Sequence, residues 1–250
     1  MNEAVGNLRY EHWHRSASGR LALLAQETLV RRMISGWPRR GRKLLELFCG
    51  SGHFLEFFWQ AGFDVTGQDR EAKLLERARI RLKQTADFTL GHPEHLPYDD
   101  GMFDYVVCLN GLEFCDRPPA LLAEMSRLAS VGILLGFPSA WSWHGLGKAL
   151  CPDRKSPGFQ RAFSPRQVRR WLREIDQESP LRWAANLAGP ACTWAKPGLL
   201  RQLNLISIPL PMGAFSLVRL NLAPGLAGTP LPLKTVRPAL APCGSAGSGQ

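Results

Sequence analysis

Largely apolar runs alternate along the chain with stretches whose apolar positions recur at helical spacing, and this alternation predicts an α/β fold. The runs at 44–48, 103–109 and 131–137 are typical of strands covered on both faces, and shorter strands are predicted at 63–68 and 88–90. Helices are predicted between them, at 20–35, 54–61, 71–83, 118–128 and 165–175. Strands that alternate with helices form parallel sheets with right-handed crossovers, so we expect a doubly wound sheet with helices on both faces.

Two helices carry more detailed predictions. The first is expected to bury a stripe that includes Leu21, Leu24 and Leu29. The last follows Ser164-Pro165, a pair typical of a helix start with Ser164 as the side-chain cap and proline at the first helical position.

The strongest chemical signal is the segment at 44–52, a buried strand that runs into a turn containing Gly50 and Gly52. Glycine lets the backbone bend sharply and approach a ligand without a Cβ in the way. Asp69 closes the next strand, about 20 residues later, where a doubly wound sheet places a carboxylate that accepts hydrogen bonds from a ribose. This pair of features predicts a nucleotide-type cofactor.

The glycine pattern separates two classes of such cofactors. Dinucleotide sites use G-x-G-x-x-G so that a pyrophosphate can lie on a helix N-terminus. Neither register of that pattern fits here: Phe48 stands at the first glycine position when Gly50 is the second, and Leu55 stands at the third when Gly50 is the first. The segment from Glu46 to Gly52 instead resembles the first motif of the class I S-adenosylmethionine-dependent methyltransferases, whose usual form is acidic-x-G-x-G-x-G. Phe48 departs from that form at its first glycine.

The resemblance extends over residues 10–222 and is to the branch called methyltransferase type 11. Segments similar to that branch lie at 10–13, 91–97, 99–107, 112–114, 162–165 and 213–219. The resemblance implies a Rossmann-like, mostly parallel sheet with an antiparallel last strand, S-adenosylmethionine as the cofactor, and transfer of its methyl group to a small-molecule acceptor. An apolar, lipid or quinone-like acceptor is one possibility, because the apolar stretch at 203–222 could line an entry for it.

The same resemblance implies roles for particular residues. Glu46 orients the methionine end of the donor, the turn of Phe48, Gly50 and Gly52 passes under it, and Asp69 holds the ribose hydroxyls. Around the rest of the donor, Gln68 or Arg70 flanks the adenine, His92 and Glu94 line its edge, and Asn110 faces the methionine moiety. Two residues depart from the family: His92 stands in place of an Asp, and Phe114 replaces a frequent His and so has no catalytic role.

The acceptor site is predicted only in outline. Tyr10, Trp13, Trp141 and Trp143 lie in segments that fold over the carboxyl edge in this family, and an aromatic lid suits an apolar or planar acceptor. Ordinary packing of these aromatic residues is the alternative. His144 is the one candidate general base, because an imidazole titrates near neutrality, and a surface or packing role remains open for it.

The resemblance and the composition together divide the chain. A helical N-terminal cap is expected at 1–40, the methyltransferase domain at 41–222 with an acceptor-lid region at 138–200, and a disordered Pro/Ala/Gly-rich tail at 223–250. Residues 203–222 are strongly apolar, but Pro209 and Pro211 argue against one membrane helix. Peripheral membrane contact through this stretch stays open, as does the oligomeric state.

A chain of 250 residues is long enough for one α/β domain with a sizeable core, which is the favoured reading, or for two small ones. No run is apolar for the ~20 residues that span a bilayer, and the N-terminal residues lack a secretory apolar core, so a cytoplasmic location is expected. The 6 cysteines fall singly, which argues against metal knuckles and redox dithiols.

The net charge of +10 is unevenly distributed. Residues 44–150 carry nine Lys/Arg against fourteen acids, whereas residues 1–43 carry nine against three. A basic face is therefore plausible, and an RNA methyltransferase is one alternative. It is not favoured. Enzymes that methylate C5 of cytosine or uridine need a catalytic Cys, usually beside a Pro, and the only Pro-Cys pair here is Pro242-Cys243 in the tail. Enzymes that methylate amino groups of nucleic acids typically carry N-P-P-[YF] after the fourth strand, and that motif does not stand there. A second alternative is a degenerate scaffold in which Phe48 and His92 have impaired the donor site.

Overall fold

The computed structural model describes residues 16–143, 161–190, 193–194 and 199–222. The strands are β1 (Lys43–Leu47), β2 (Asp64–Asp69), β3 (Ala86–Leu90), β4 (Phe103–Cys108), β5 (Ala129–Pro138), β6 (Leu181–Asn186) and β7 (Phe215–Asn221). The α-helices are α1 (Ala17–Met33), α2 (His53–Gln60), α3 (Ala72–Leu82), α4 (Pro118–Leu128), α5 (Pro165–Ile175) and α6 (Leu199–Leu205). Tyr10, Trp13, His144 and the tail from 223 lie outside the described residues.

The strands form one seven-stranded sheet in the order β3-β2-β1-β4-β5-β7-β6. All pairs among β1 to β5 are parallel, while β7 runs antiparallel to both of its neighbours, β5 and β6. Two apolar clusters cover the two faces, one with α1 and α2 and the other with α4 and α5. The prediction of a doubly wound, mostly parallel sheet with an antiparallel last strand is confirmed.

Helix α1 packs against β6 and β7 through small residues, and here the sequence prediction was partly wrong. Leu21 and Leu29 are buried as expected, but Leu24 is exposed. Ala22 and Ala25 take its place in the buried face, because their short side chains let the helix backbone lie close to the sheet. A stripe defined by leucines alone therefore misses the true orientation of the helix.

Strand β6 was not anticipated. It lies within the range assigned to the acceptor lid, and its sequence Leu181-Arg182-Trp183-Ala184-Ala185-Asn186 has neither a clean alternation nor a continuous apolar run, since only its second half is buried. Its presence explains the apolar character of 215–221, because β7 lies between β5 and β6 and is covered on both faces.

The start of α5 also differs in detail from the prediction. The helix begins at Pro165, which has no amide hydrogen to leave unpaired, but the Ser164 side chain makes no capping hydrogen bond. Among the described residues, no helix has both the length and the apolar character needed to cross a membrane.

Parallel strands place their carboxyl ends at one edge of the sheet, and this edge carries the predicted site. The carboxyl ends of β1 to β4 and the segments that leave them contain every described residue predicted to bind the donor, from Glu46 in β1 to Asn110 after β4. Open α/β sheets bind ligands in a crevice at this edge, so we take it as the candidate site and call it the crevice.

Candidate active site

The turn between β1 and α2 can be made only with glycine at its last position. Gly50 and Gly52 have φ values of +55° and +77°, in the left-handed region. A Cβ on Gly52 would lie 2.7 Å from Cδ1 of Leu82 and 3.1 Å from Cβ of Ala78. Gly52 thus lets the turn lie against α3, which brings the ends of β1 and β2 together.

Asp69, at the end of the neighbouring strand β2, holds this turn by a side-chain hydrogen bond. Its Oδ2 accepts a hydrogen bond from the Gly50 amide at 2.9 Å, and its Oδ1 accepts one from the Glu71 amide at 2.9 Å. The side chain is buried, and burial raises the pKa of Asp69, while the amide hydrogen bonds from Glu71 and Gly50 oppose that shift. Asp69 is the structural link between the glycine turn and α3, and each carboxylate oxygen keeps a second lone pair.

Glu46 is a second buried carboxyl group at the same place. Its Oε2 has no hydrogen-bond partner, although the residue is only 3% exposed. Burial raises the pKa of Glu46 well above its ordinary value, and the nearby Asp69 carboxylate raises it further. A buried acceptor without a donor is costly, so this position is suited to a ligand that supplies a cationic donor.

The Gln68 side chain has a structural role. Its Nε2 donates to the Gly91 carbonyl at 2.6 Å, and its Oε1 accepts from the Phe48 amide at 3.4 Å. Both ends of this fully buried side chain are thereby occupied. Of the two residues proposed to flank an adenine, Gln68 or Arg70, only Arg70 has its side chain near the surface of the crevice.

Phe48 occupies the position of the first motif glycine and keeps a glycine-like backbone, with φ +54°. Its ring lies where a side chain on Gly111 would stand: a Cβ there would be 2.3 Å from Cδ2 of Phe48. The Arg70 guanidinium lies over the Phe48 ring, 5.3 Å from its centroid, and donates to the Phe114 carbonyl at 2.7 Å. Phe48 therefore fills the space between the ends of β1 and β4, and Arg70 lies across it.

The two residues predicted at the adenine edge are differently placed. His92 is exposed in the turn after β3. Glu94 is held by Arg117, whose Nη2 and Nε donate to the same carboxylate oxygen, Oε2, at 2.6 and 2.9 Å. The segment after β3 is thus tied to the N-terminus of α4, which closes this end of the crevice.

Helix α1 reaches the other end of the crevice, a feature that sequence reasoning missed. Asn110 donates from Nδ2 to Oε1 of Gln26 at 3.4 Å, and Glu27 pairs with Nε2 of His53 at 2.7 Å. Gln26 is fully buried and its Nε2 has no partner. A glutamine inside the buried stripe of an amphipathic helix was the signal available in the sequence, because such a polar group must serve some partner.

The two described residues among the four aromatics predicted to line the acceptor site lie at the surface. Trp141 and Trp143 follow β5 and are exposed, with the Arg166 guanidinium 5.1 Å from the Trp141 ring centroid. Neither is a core residue, and their role on the acceptor side stays a prediction. The three cysteines in the described part of the chain, Cys49, Cys108 and Cys115, are buried free thiols.

Comparison with known proteins agrees with this geometry. Residues 45–135 match a family model, type 11, described as a methyltransferase domain. The malonyl-[acyl-carrier protein] O-methyltransferase of Pectobacterium atrosepticum is 33% identical over 114 residues, 45% of this chain and 44% of that protein. The ubiquinone biosynthesis O-methyltransferase of the same organism is 27% identical over 155 residues, 57% of this chain and 63% of that protein. The chain thus spans less than two thirds of either relative.

Solved structures share the fold. A SAM-dependent methyltransferase from Thermotoga maritima has a TM-score of 0.66 at 20% identity, covering 85% of this chain and 93% of that one. The magnesium protoporphyrin IX methyltransferase of Synechocystis, solved with bound SAH, has a TM-score of 0.64 at 13% identity, covering 87% and 94%.

The glycine turn, the strand order and the family match together define a class I S-adenosylmethionine-dependent methyltransferase domain. Within that class, residues 45–135 resemble the type 11 branch, the one that the sequence resemblance named.

The contact between Phe48 and Gly111 predicts a specific pattern of stabilities. Gly111→Ala should lower the free energy of unfolding by about 1 to 3 kcal/mol, because the new methyl group collides with the Phe48 ring. Combining it with Phe48→Ala should cost less than the sum of the two single changes. Urea denaturation of the four proteins measures this. Gly91→Ala is the control, because its Cβ would approach nothing closer than 3.7 Å. Strict additivity would refute the contact.

The burial of Glu46 predicts how stability depends on pH. Its raised pKa means that the folded protein keeps a proton that the unfolded chain releases at about its ordinary pKa of 4.5. The free energy of unfolding should therefore decline as the pH rises from that value towards the folded-state pKa. In Glu46→Gln this contribution is absent, so the decline should be smaller. Urea titrations across this pH range test it, with the exposed Glu76→Gln as control, and parallel curves for all three proteins would contradict the assignment.

Proposed function

We propose that this protein transfers a methyl group from S-adenosylmethionine to a small-molecule acceptor of apolar character. The observation that carries the proposal is the buried, unpartnered Oε2 of Glu46 beside a glycine turn that Asp69 holds in place. The family match supports the same chemistry. The named activities of the relatives, on malonyl-[acyl-carrier protein] and in ubiquinone biosynthesis, support small-molecule acceptors in general.

The unsatisfied groups of the crevice fit the polar end of that donor. An amino-acid moiety carries one ammonium, which needs an acceptor, and one carboxylate, which needs donors. Glu46 Oε2 is a buried acceptor without a donor, and Gln26 Nε2, next to Asn110, is a buried donor without an acceptor. We therefore assign the ammonium to Glu46 and the carboxylate to the side of Gln26 and Asn110.

The remaining donor contacts follow from the same edge of the sheet. Asp69 keeps lone pairs for the ribose hydroxyls, and Gly50 and Gly52 leave room for the donor above the turn. Arg70 is proposed to flank the adenine, and His92 and Glu94 lie on the segment that would line its edge. When bound, S-adenosylmethionine supplies an electrophilic methyl group on a sulfonium. The chain's own task is to hold donor and acceptor collinear and to exclude water.

No obligatory nucleophile or metal is required for such a displacement. A general base is needed only if the acceptor must lose a proton, and His144 remains the candidate that the sequence offers. Tyr10 and Trp13 of the N-terminal cap remain proposed acceptor-side residues, as do Trp141 and Trp143 of the proposed lid region at 138–200.

A cavity at the carboxyl end of β6 supports an apolar acceptor. Its volume is about 310 Å³, and apolar groups of Ala188, Pro190, Leu203, Ile206 and Ile208 line it. Its polar members are occupied with one another, since Asn204 donates to Thr193 Oγ1 at 3.1 Å and accepts from the Gly189 amide at 2.9 Å.

The position of this cavity suggests the shape of the acceptor. The strand order places β6 three strands from β4, or roughly 15 Å at the usual spacing between strands. An acceptor whose reacting group meets the donor beside Asn110 would need an apolar extension of about that length to fill the cavity.

The donor assignment predicts the effect of two matched substitutions in β2. Asp69→Ala should weaken S-adenosylmethionine binding by about 1 to 3 kcal/mol, because a hydrogen-bond partner of the ribose is lost and the Gly50 amide loses its acceptor. Asp64→Ala, at the exposed amino end of the same strand, should leave the affinity unchanged. Calorimetric titration measures both. Wild-type affinity in Asp69→Ala would contradict the ribose assignment, and no binding by the wild-type protein would favour the degenerate scaffold.

The acceptor assignment predicts where a labelled methyl group goes. Incubation of the protein with methyl-labelled donor and a cell extract should place the label in the fraction soluble in organic solvent. Ala188→Phe, which fills the cavity, should reduce that labelling by about tenfold or more, the loss expected when an apolar extension is no longer buried. Donor affinity should be unchanged. Label in RNA, or full labelling by Ala188→Phe, would contradict the apolar acceptor.

A further inference from the structure

Large apolar side chains are exposed mainly on one part of the surface. Six of the eleven such residues in the described chain are Trp141, Trp143, Leu203, Ile206, Leu210 and Met212, each between 43% and 67% exposed. We call these six residues the apolar face. Exposed apolar residues scattered singly need no explanation, but a contiguous group marks an interaction surface.

Hydrogen bonds and shared contacts show that these residues lie together. Leu203 and Ile206 both line the cavity described above. Ile208 pairs with Ala185 at the edge of the sheet, in an isolated bridge. Further along, Ser139 Oγ donates to the Pro211 carbonyl, between Leu210 and Met212, at 3.0 Å, and Ser139 Oγ itself accepts from the Trp141 amide at 3.1 Å. The apolar face is therefore continuous from α6 to the segment after β5.

Arginines border this face. Arg32 donates to the Ser207 carbonyl at 3.4 Å, next to Ile206. Arg166 stacks on Trp141, and Arg161 stacks on Phe163, whose carbonyl accepts from the Ala140 amide at 2.9 Å. All three arginines are exposed. The chain contains no Asp or Glu after Glu178, so the segments that form most of the face bring no negative charge.

We propose that the apolar face and its arginines bind the surface of an anionic phospholipid bilayer. Aliphatic side chains and tryptophan insert at the boundary between headgroups and acyl chains, and arginines attract anionic headgroups. Nucleic acid is a poorer match, because four of the six exposed residues are aliphatic and offer neither stacking nor hydrogen bonds to it. Docking needs neither the donor nor catalysis, so it stands apart from the proposed activity.

The docking surface also has a consequence for the cavity. Leu203 and Ile206 belong to both, so the cavity opens on the surface that faces the bilayer. A molecule dissolved in the membrane would reach the cavity without crossing water.

Co-sedimentation with vesicles tests the docking. The wild-type protein should bind phosphatidylcholine vesicles that contain phosphatidylglycerol, and bind pure phosphatidylcholine much more weakly. Arg32→Gln and Arg166→Gln should each reduce binding by about fivefold, the factor expected for one arginine at an anionic surface. The double change Leu210→Glu with Met212→Glu should reduce it by about tenfold or more. Ile80→Glu on α3, an exposed apolar residue at the opposite end of the sheet, should bind as wild type does.

A second measurement uses conservative changes that leave the fold intact. Brominated lipids should quench the fluorescence of the vesicle-bound protein, and Trp141→Phe with Trp143→Phe should remove most of that quenching. Trp59→Phe, an exposed tryptophan on α2, should not. The proposal is overturned if the wild-type protein stays in the supernatant, if Ile80→Glu loses as much binding as the double glutamate change, or if RNA binds in place of vesicles and the glutamates leave that binding unchanged.

Discussion

The hydrogen bond from the Gly50 amide to Asp69 is the interaction on which the rest of the site depends. It joins the end of β1 to the end of β2, and the second oxygen of Asp69 joins both to the start of α3. A carboxylate placed there must be buried, which raises its pKa and that of Glu46 beside it. The molecule thus holds two acidic groups in an apolar setting, at a cost to stability that a cationic ligand would offset.

Phe48 shows how the chain accommodates a departure from the glycine pattern of its class. The left-handed backbone that glycine adopts freely is retained, at the cost of strain on the order of 1 to 2 kcal/mol for a side chain. In return, the ring fills the space left by Gly111 and supports the Arg70 guanidinium. The two positions are far apart in the sequence, so neither residue can be explained without the other.

Local patterns in the sequence were sufficient to predict the strands and helices of residues 44–138, because β1, β4 and β5 are apolar runs and each helix has a clear stripe. They failed where tertiary packing decides: Leu24 is exposed because alanines face the sheet, and β6 has no strand pattern of its own. The glycine turn and Asp69 were predictable from spacing, whereas the pairing of Gln26 with Asn110 depends on how α1 packs across the sheet. No local signal contains that information.

The central claim is that the buried acidic groups at the glycine turn hold an adenosyl sulfonium through its ammonium. Its most direct test is calorimetric titration of the wild-type protein with S-adenosylmethionine, at mildly acidic pH, in two buffers of different ionisation enthalpy. The account predicts binding with net release of protons, because Glu46 must ionise to pair with the ammonium. Binding without proton release, or preferential binding of NAD, would contradict it.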